Sequence, residues 1–243
     1  MEYLKLFSTE SDYLTYRDSN DYLKPNVSLS DDKGNVYYNY SPPPIVYEAV
    51  DLGLPTGTKW ATQNVGARKP SNAGLYFQWG DTQGYTAEQV GKDKQFNWAD
   101  YKWSIDGSHT NFSKYTTTGA TLELEDDAAH VNMGGDWHMP TTAQIRELID
   151  NTTSEWTEQD DVNGRLFTSK NGNSIFIPAT GLAWDGSIAN SGRNGYVWSS
   201  MLDTSSIIYG QGRYFDSGTA LLRTYLGDRC GGLPVRGVIG SIS

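Results

Sequence analysis

The sequence holds a single cysteine, Cys230, among 243 residues. No intramolecular disulfide can form, and a metal site built on cysteine is excluded. Histidine is almost as scarce. His109, His130 and His138 occur without HExxH or HxxxH spacing, so zinc has no pair of ligands on one helical face. No GxSxG elbow is present, nor the 12-residue calcium loop of an EF-hand. Basic residues are in deficit: 19 Lys and Arg against 29 Asp and Glu give a net charge of −10. An acidic chain repels phosphate backbones, so nucleic acid is not an expected partner. No run approaches the ~20 apolar residues of a membrane span. Met1 is followed by Glu2, Tyr3, Leu4 and Lys5 instead of an apolar leader. The expectation is a soluble chain without membrane insertion or export signal; a protein released in a virion or by lysis needs none.

Apolar residues are also sparse, at 37 %, but 8 Trp and 16 Tyr are present, and large rings can build a core from few residues. Twenty-six Gly spread along the chain favour many turns over long helices. Residues 1–40 read as a small β-α-hairpin unit for assembly or attachment: a strand at EYLKLF, a helix capped at Ser8 or Thr9 and running to Asp18, then a hairpin around Gly34 and Asn35. SPPP makes 41–46 a stiff linker. Residues 47–243 read as one domain. Its clearest helix is PTTAQIRELIDN, where Thr141 and Gln144 suit a capping box and Ile145, Leu148 and Ile149 share a face. GRLFTS, NSIFIPA, GYVWSS, GRYFDS and LPVRGVI read as strands. The fold class expected is α+β, loop-rich with short antiparallel strands.

Six phrases in order carry a resemblance: VDLGLPTGTKWATQNVGA, YFQWGD, GGDWHMPTTAQIRELI, IPATGLAWDG, GYVWSS and GLPVRGV. Together they resemble the Fibrobacter major paralogous domain over about residues 47–240. That resemblance implies a C-type-lectin-like fold of the formylglycine-generating-enzyme type. It also implies that Trp60, Trp79, Trp137 and Trp184 are framework core. A subset of this fold serves as the variable proteins of diversity-generating retroelements, phage tropism determinants among them. There, adenine mutagenesis of asparagine-type codons never yields Lys, Glu, Gln, Met or Trp. Leu202 to Cys230 has one such residue, Gln211, in 29, whereas 39 in the whole chain would put about five there. The segment lies between GYVWSS and GLPVRGV, where the resemblance places a variable region. The N-terminal unit resembles the leading segments of Bacteroides phage and prophage structural proteins.

The charge of 202–230 also stands apart. Residues 201–243 carry four Arg and three Asp, whereas residues 1–200 carry the entire acid excess. Neither strand nor helix periodicity fits the segment well, so its apolar residues stay open between core and surface. The ligand-contacting residues expected are Asp203, Thr204, Ser205, Ser206, Tyr209, Arg213, Ser217, Leu221, Arg223, Thr224, Tyr225, Leu226, Asp228, Arg229 and Cys230. Tyr and Arg give large contact area and directed hydrogen bonds, and the small residues let a ligand approach. The first functional reading is a non-enzymatic receptor-binding protein, a phage-tail tropism protein that binds a cell-surface protein or glycan, and a homotrimer by analogy. The second is a bacterial surface or extracellular module with a fixed ligand. The third is an oxidase of the formylglycine-generating type using Cys230. No cofactor and no metal are expected. LELEDD (122–127) reads as a solvated acidic loop, and the calcium signature of sugar-binding lectins is missing.

Overall fold

The computed structural model describes residues 3–7, 25–30, 36–40, 44–218 and 223–241. The chain divides into two compact units, Met1–Val46 and Tyr47–Ser243. In the first, strands β1 (Tyr3–Phe7), β2 (Pro25–Ser30) and β3 (Val36–Tyr40) form an antiparallel sheet of order β1-β3-β2. Tyr3 pairs with Tyr40 and Phe7 with Val36. The helix expected from Ser8 or Thr9 to Asp18, and the Gly34–Asn35 turn, lie outside the described residues.

The second unit is mixed, with mostly small antiparallel sheets and few helices. Strands β4 (Ala49–Asp51), β5 (Lys59–Asn64) and β6 (Tyr76–Phe77) come first. Helices α1 (Ala128–Met133) and α2 (Thr142–Asn151) follow a long irregular stretch. Then come β7 (Thr152–Gln159), β8 (Val162–Ser169) and β9 (Ser174–Pro178). The short strands β10 (Leu182–Trp184) and β11 (Ser187–Ala189) precede β12 (Gly195–Leu202), β13 (Tyr209–Phe215) and β14 (Arg223–Asp228). The chain returns in β15 (Leu233–Pro234) and β16 (Arg236–Ile239). The sheets are ordered β16-β5-β4, β15-β6, β7-β8-β9, β10-β11 and β12-β13-β14.

Local chemistry explains these elements. Thr141 Oγ1 accepts from Gln144 N and the Gln144 side chain accepts from Thr141 N, so the expected capping box opens α2. Its Ile145, Leu148 and Ile149 are buried together with Trp60, Phe167 and Val238. A second cluster gathers Phe77, Trp79, Tyr196, Trp198 and Val235. Strand β12 runs between the two. Side chains alternate along a strand, so Val197 enters the first cluster while Tyr196 and Trp198 enter the second. This accounts for GYVWSS, which is buried throughout. LPVRGVI is not one strand but two, broken at Val235, whose carbonyl accepts from Val65 N. Arg236 is fully buried without a carboxylate: it donates to Asn64 Oδ1 and to the carbonyls of Ala61 and Phe176, tying β5, β9 and β16. Burial pulls its pKa down to about 9. Trp60, Trp79 and Trp137 are buried as expected, but Trp184 is 38 % exposed. The reason is that β10 and β11 form a two-stranded hairpin turning at Asp185 and Gly186, both at positive φ, and its tip carries the indole outward.

Candidate functional site

The candidate site is the loop 203–208, the strand β13 that follows, and the turn after β14. Asp203 fixes the loop. It is buried, and its Oδ1 accepts from Ser205 N at 2.9 Å, Ser205 Oγ at 2.6 Å and Ser206 N at 3.0 Å. Burial alone would raise the pKa of this carboxyl. The hydroxyl of Ser205 and the backbone N–H groups of Ser205, Ser206 and Thr204 outweigh it and hold the value below the usual carboxylate range. The Asp203 backbone is pinned on both sides: its N–H donates to Tyr209 O, and its carbonyl accepts from Gly119 N.

Strand β13 lies close over the second cluster because it carries glycine there. A Cβ on Gly210 would stand 2.8 Å from Trp79 and 3.0 Å from Trp198. Those two indoles are themselves fastened, Trp79 Nε1 to Ser199 O and Trp198 Nε1 to Phe77 O. The intervening residues Tyr209, Gln211 and Arg213 are half-buried. Arg213 donates to Gly212 O; burial, and secondarily the charge of Arg146, lowers its pKa. In the sheet Tyr209 pairs with Asp228 and Arg213 with Thr224.

Arg229 locks the turn from below. Its Nε donates to the Tyr101 hydroxyl at 3.0 Å, Nη1 to Tyr115 O and Ile207 O at 2.9 Å, and Nη2 to Lys114 O at 3.3 Å. The guanidinium carbon lies 3.9 Å from the centre of the Phe112 ring. One side chain thus joins β14, the loop 203–208 and the irregular stretch 98–115. Beside it, Lys114 Nζ bonds Glu123, Glu125 and Asp126, and Lys102 also reaches Asp126. The acidic run is therefore an ion-pair cluster gathered around a lysine, not merely a solvated loop.

The expected residues thus separate. Thr204, Ser205 and Ser217 are exposed; Ser206, Tyr209, Arg213 and Asp228 are half-buried. Asp203, Arg229 and Cys230 are buried, and their reading as ligand contacts is corrected. Asp203 is a turn brace and Arg229 a strut, because each has its polar atoms spent on surrounding backbone groups and hydroxyls. Cys230 packs with Tyr101 and Phe112, and burial pushes its thiol far up from the usual range. Leu221 lies outside the described residues; of Arg223, Thr224, Tyr225 and Leu226, the position in β14 is described and the side chains are not. The residues missed by sequence reading are those of the buttress, Tyr101, Phe112 and Tyr115. The density of aromatic residues from Phe96 to Tyr115 is the signal that could have found them. Two clefts of about 460 and 400 Å³ lie elsewhere, one beside His130 and His138, the other beside Tyr76 and Thr180; neither is lined by residues of 202–230.

No family model matches this chain, and no curated protein and no solved structure matches it either.

Proposed function

We propose that this chain is a non-enzymatic receptor-binding protein on a C-type-lectin-like, formylglycine-generating-type scaffold, and that it displays a diversified surface from a phage tail. Its target is a protein or glycan on a bacterial cell, and the resemblance makes a homotrimer the expected assembly. The observation that carries this reading is the contrast within 203–229. Asp203, Gly210 and Arg229 are committed to holding the backbone, whereas Thr204, Ser205, Ser206, Tyr209, Arg213 and Ser217 keep exposed or half-buried side chains. A fixed backbone under variable side chains binds without the cost of ordering a loop. Cys230 speaks against the oxidase reading, since a catalytic thiol needs an accessible thiolate and this one is buried with a raised pKa.

The encoding DNA tests the reading. A reverse-transcriptase gene and a template copy with adenines at the codons for 204–217 are expected nearby. A locus with neither would replace this proposal by a surface module with a fixed ligand.

A further inference from the structure

The cleft of about 400 Å³ beside Tyr76 and Thr180 has walls from three stretches of chain. The first is the loop Ser71, Asn72 and Ala73, with Tyr76 beyond it. The second is the two-residue turn between β7 and β8, where Asp160 and Asp161 both stand at positive φ, followed by Val162 and Asn163. The third joins Ala179 and Thr180, after β9, to Ser191 and Gly192, after β11. Hydrogen bonds tie these walls to one another. The Tyr76 hydroxyl donates to Thr180 O at 2.7 Å, Ser71 Oγ to Asp160 Oδ2 at 2.7 Å, and Asn163 Nδ2 to Gly192 O at 3.1 Å. Gly192 N donates to Ala179 O, and Ala179 N to Asn163 O, both at 2.7 Å. The cleft is therefore preformed, and a ligand entering it has no wall to order.

The polar groups left over decide what fits. Thr180 is buried, and its hydroxyl has no hydrogen-bond partner among the described residues. A hydroxyl buried unpaired is unfavourable, and a ligand hydroxyl that pairs with it recovers the loss. Asn72, Asp161 and Ser191 are exposed, and among the described residues their side chains make no hydrogen bond or ion pair. Hydroxyls and amides both donate and accept, which matches the hydroxyls of a ligand. No Lys, Arg or His lines the cleft, so an anionic ligand meets no countercharge, and the net charge of −10 opposes it further. A cationic ligand meets one carboxylate, Asp161, which is exposed and worth little as an ion-pair partner. The apolar lining is aliphatic, with Ala73, Ala87, Val162 and Ile188, and suits the C–H face of a sugar ring.

We infer that this cleft binds a neutral saccharide unit, whose hydroxyls pair with Thr180 on the buried side and with Asn72, Asp161 and Ser191 on the exposed side. No residue of 202–230 lines the cleft, so the inference goes beyond the receptor-binding reading and does not depend on variation in that segment.

The test is a titration of the isotope-labelled whole chain, followed by NMR of its backbone amides. The neutral probes are methyl α-mannoside, methyl β-galactoside and N-acetylglucosamine; the controls are glucuronate, glucosamine and the peptide analogue N-acetylglycine methylamide. At least one neutral sugar is expected to shift the amides of Asn163, Thr180 and Gly192 in a saturable way, and each control to bind at least about tenfold more weakly than that sugar. Thr180→Val removes the unpaired hydroxyl and keeps the side-chain shape, so sugar binding should fall severalfold at a melting temperature no lower than the parent's. Ala87→Trp, at an exposed lining position, should block the cleft and abolish the shifts. If Thr180→Val is less stable than the parent, Ala87→Trp decides. No shift with any of the three sugars, a control that binds as tightly as the best sugar, shifts confined to amides away from the cleft, or undiminished binding by a stably folded variant would each overturn the inference. The titration involves no cell, so its failure leaves the receptor-binding reading to its own test.

Discussion

Among single residues, Arg229 separates the surface and core readings most sharply. A solvent-facing arginine could be removed at ~0.5 kcal/mol or less. Arg229 instead satisfies a hydroxyl and three carbonyls while fully buried. Arg229→Ala should therefore cost about 3 kcal/mol or more, seen as a lowered melting temperature; an unchanged melting temperature would return Arg229 to the surface. The carboxylates give a second prediction. Asp126 and Asp203 both titrate lower in the folded chain, despite burial, because of Lys114, Tyr115 and Lys102 in the first case and the 204–206 turn in the second. Their stabilisation is complete above the unfolded value of about 4 and is lost as pH falls through the folded values. Asp127 runs the other way: burial raises its pKa, so its contribution fades as pH rises. Asp203→Asn keeps an acceptor for the turn and removes the titration, so melting curves between pH 6 and 3 should show a shallower pH dependence than the parent. A slope identical to the parent would contradict the role given to Asp203.

At the level of elements, legibility followed how locally each was determined. Helix α2 was readable because its cap and its apolar face lie within ten residues. Strand β12 was readable from its aromatic and β-branched core. Strand β7 was not, since TTSEWTEQ carries two glutamates and its burial alternates only between half-buried and exposed. It follows α2 directly and turns into β8 through Asp160 and Asp161, both at positive φ, where the sequence shows no Asn-Gly or Asp-Gly signal. The segment 202–230 looked aperiodic for a related reason. Glycines at 210 and 212 occupy the inward positions of β13, so the burial alternation is present but has no apolar side chains to announce it. Gly210→Ala tests this: the added methyl meets two fastened indoles and should cost ~1–3 kcal/mol by overpacking, with a shift of tryptophan emission. A neutral effect would show that β13 is free to lift from Trp79 and Trp198. Arg229 and Cys230 were misplaced because their environment comes from residues 98–115, more than a hundred positions away, which no local pattern records.

Across the whole second unit, the proposed reading assigns stability and recognition to different residues of one segment. Buried Asp203, Gly210 and Arg229 keep the backbone in place; in the proposed reading exposed or half-buried Thr204, Ser206, Tyr209, Arg213 and Ser217 meet the partner. Replacing these last five together by alanine, and measuring both the melting temperature and the binding of labelled protein to a panel of Bacteroides strains, sets the two assignments against each other. Surface changes of ~0.5 kcal/mol each, at ~2–4 °C per kcal/mol for a chain of this size, predict a melting temperature lowered by no more than about 10 °C, with cell binding lost. Cell binding retained in full, or a variant that no longer folds, would contradict it.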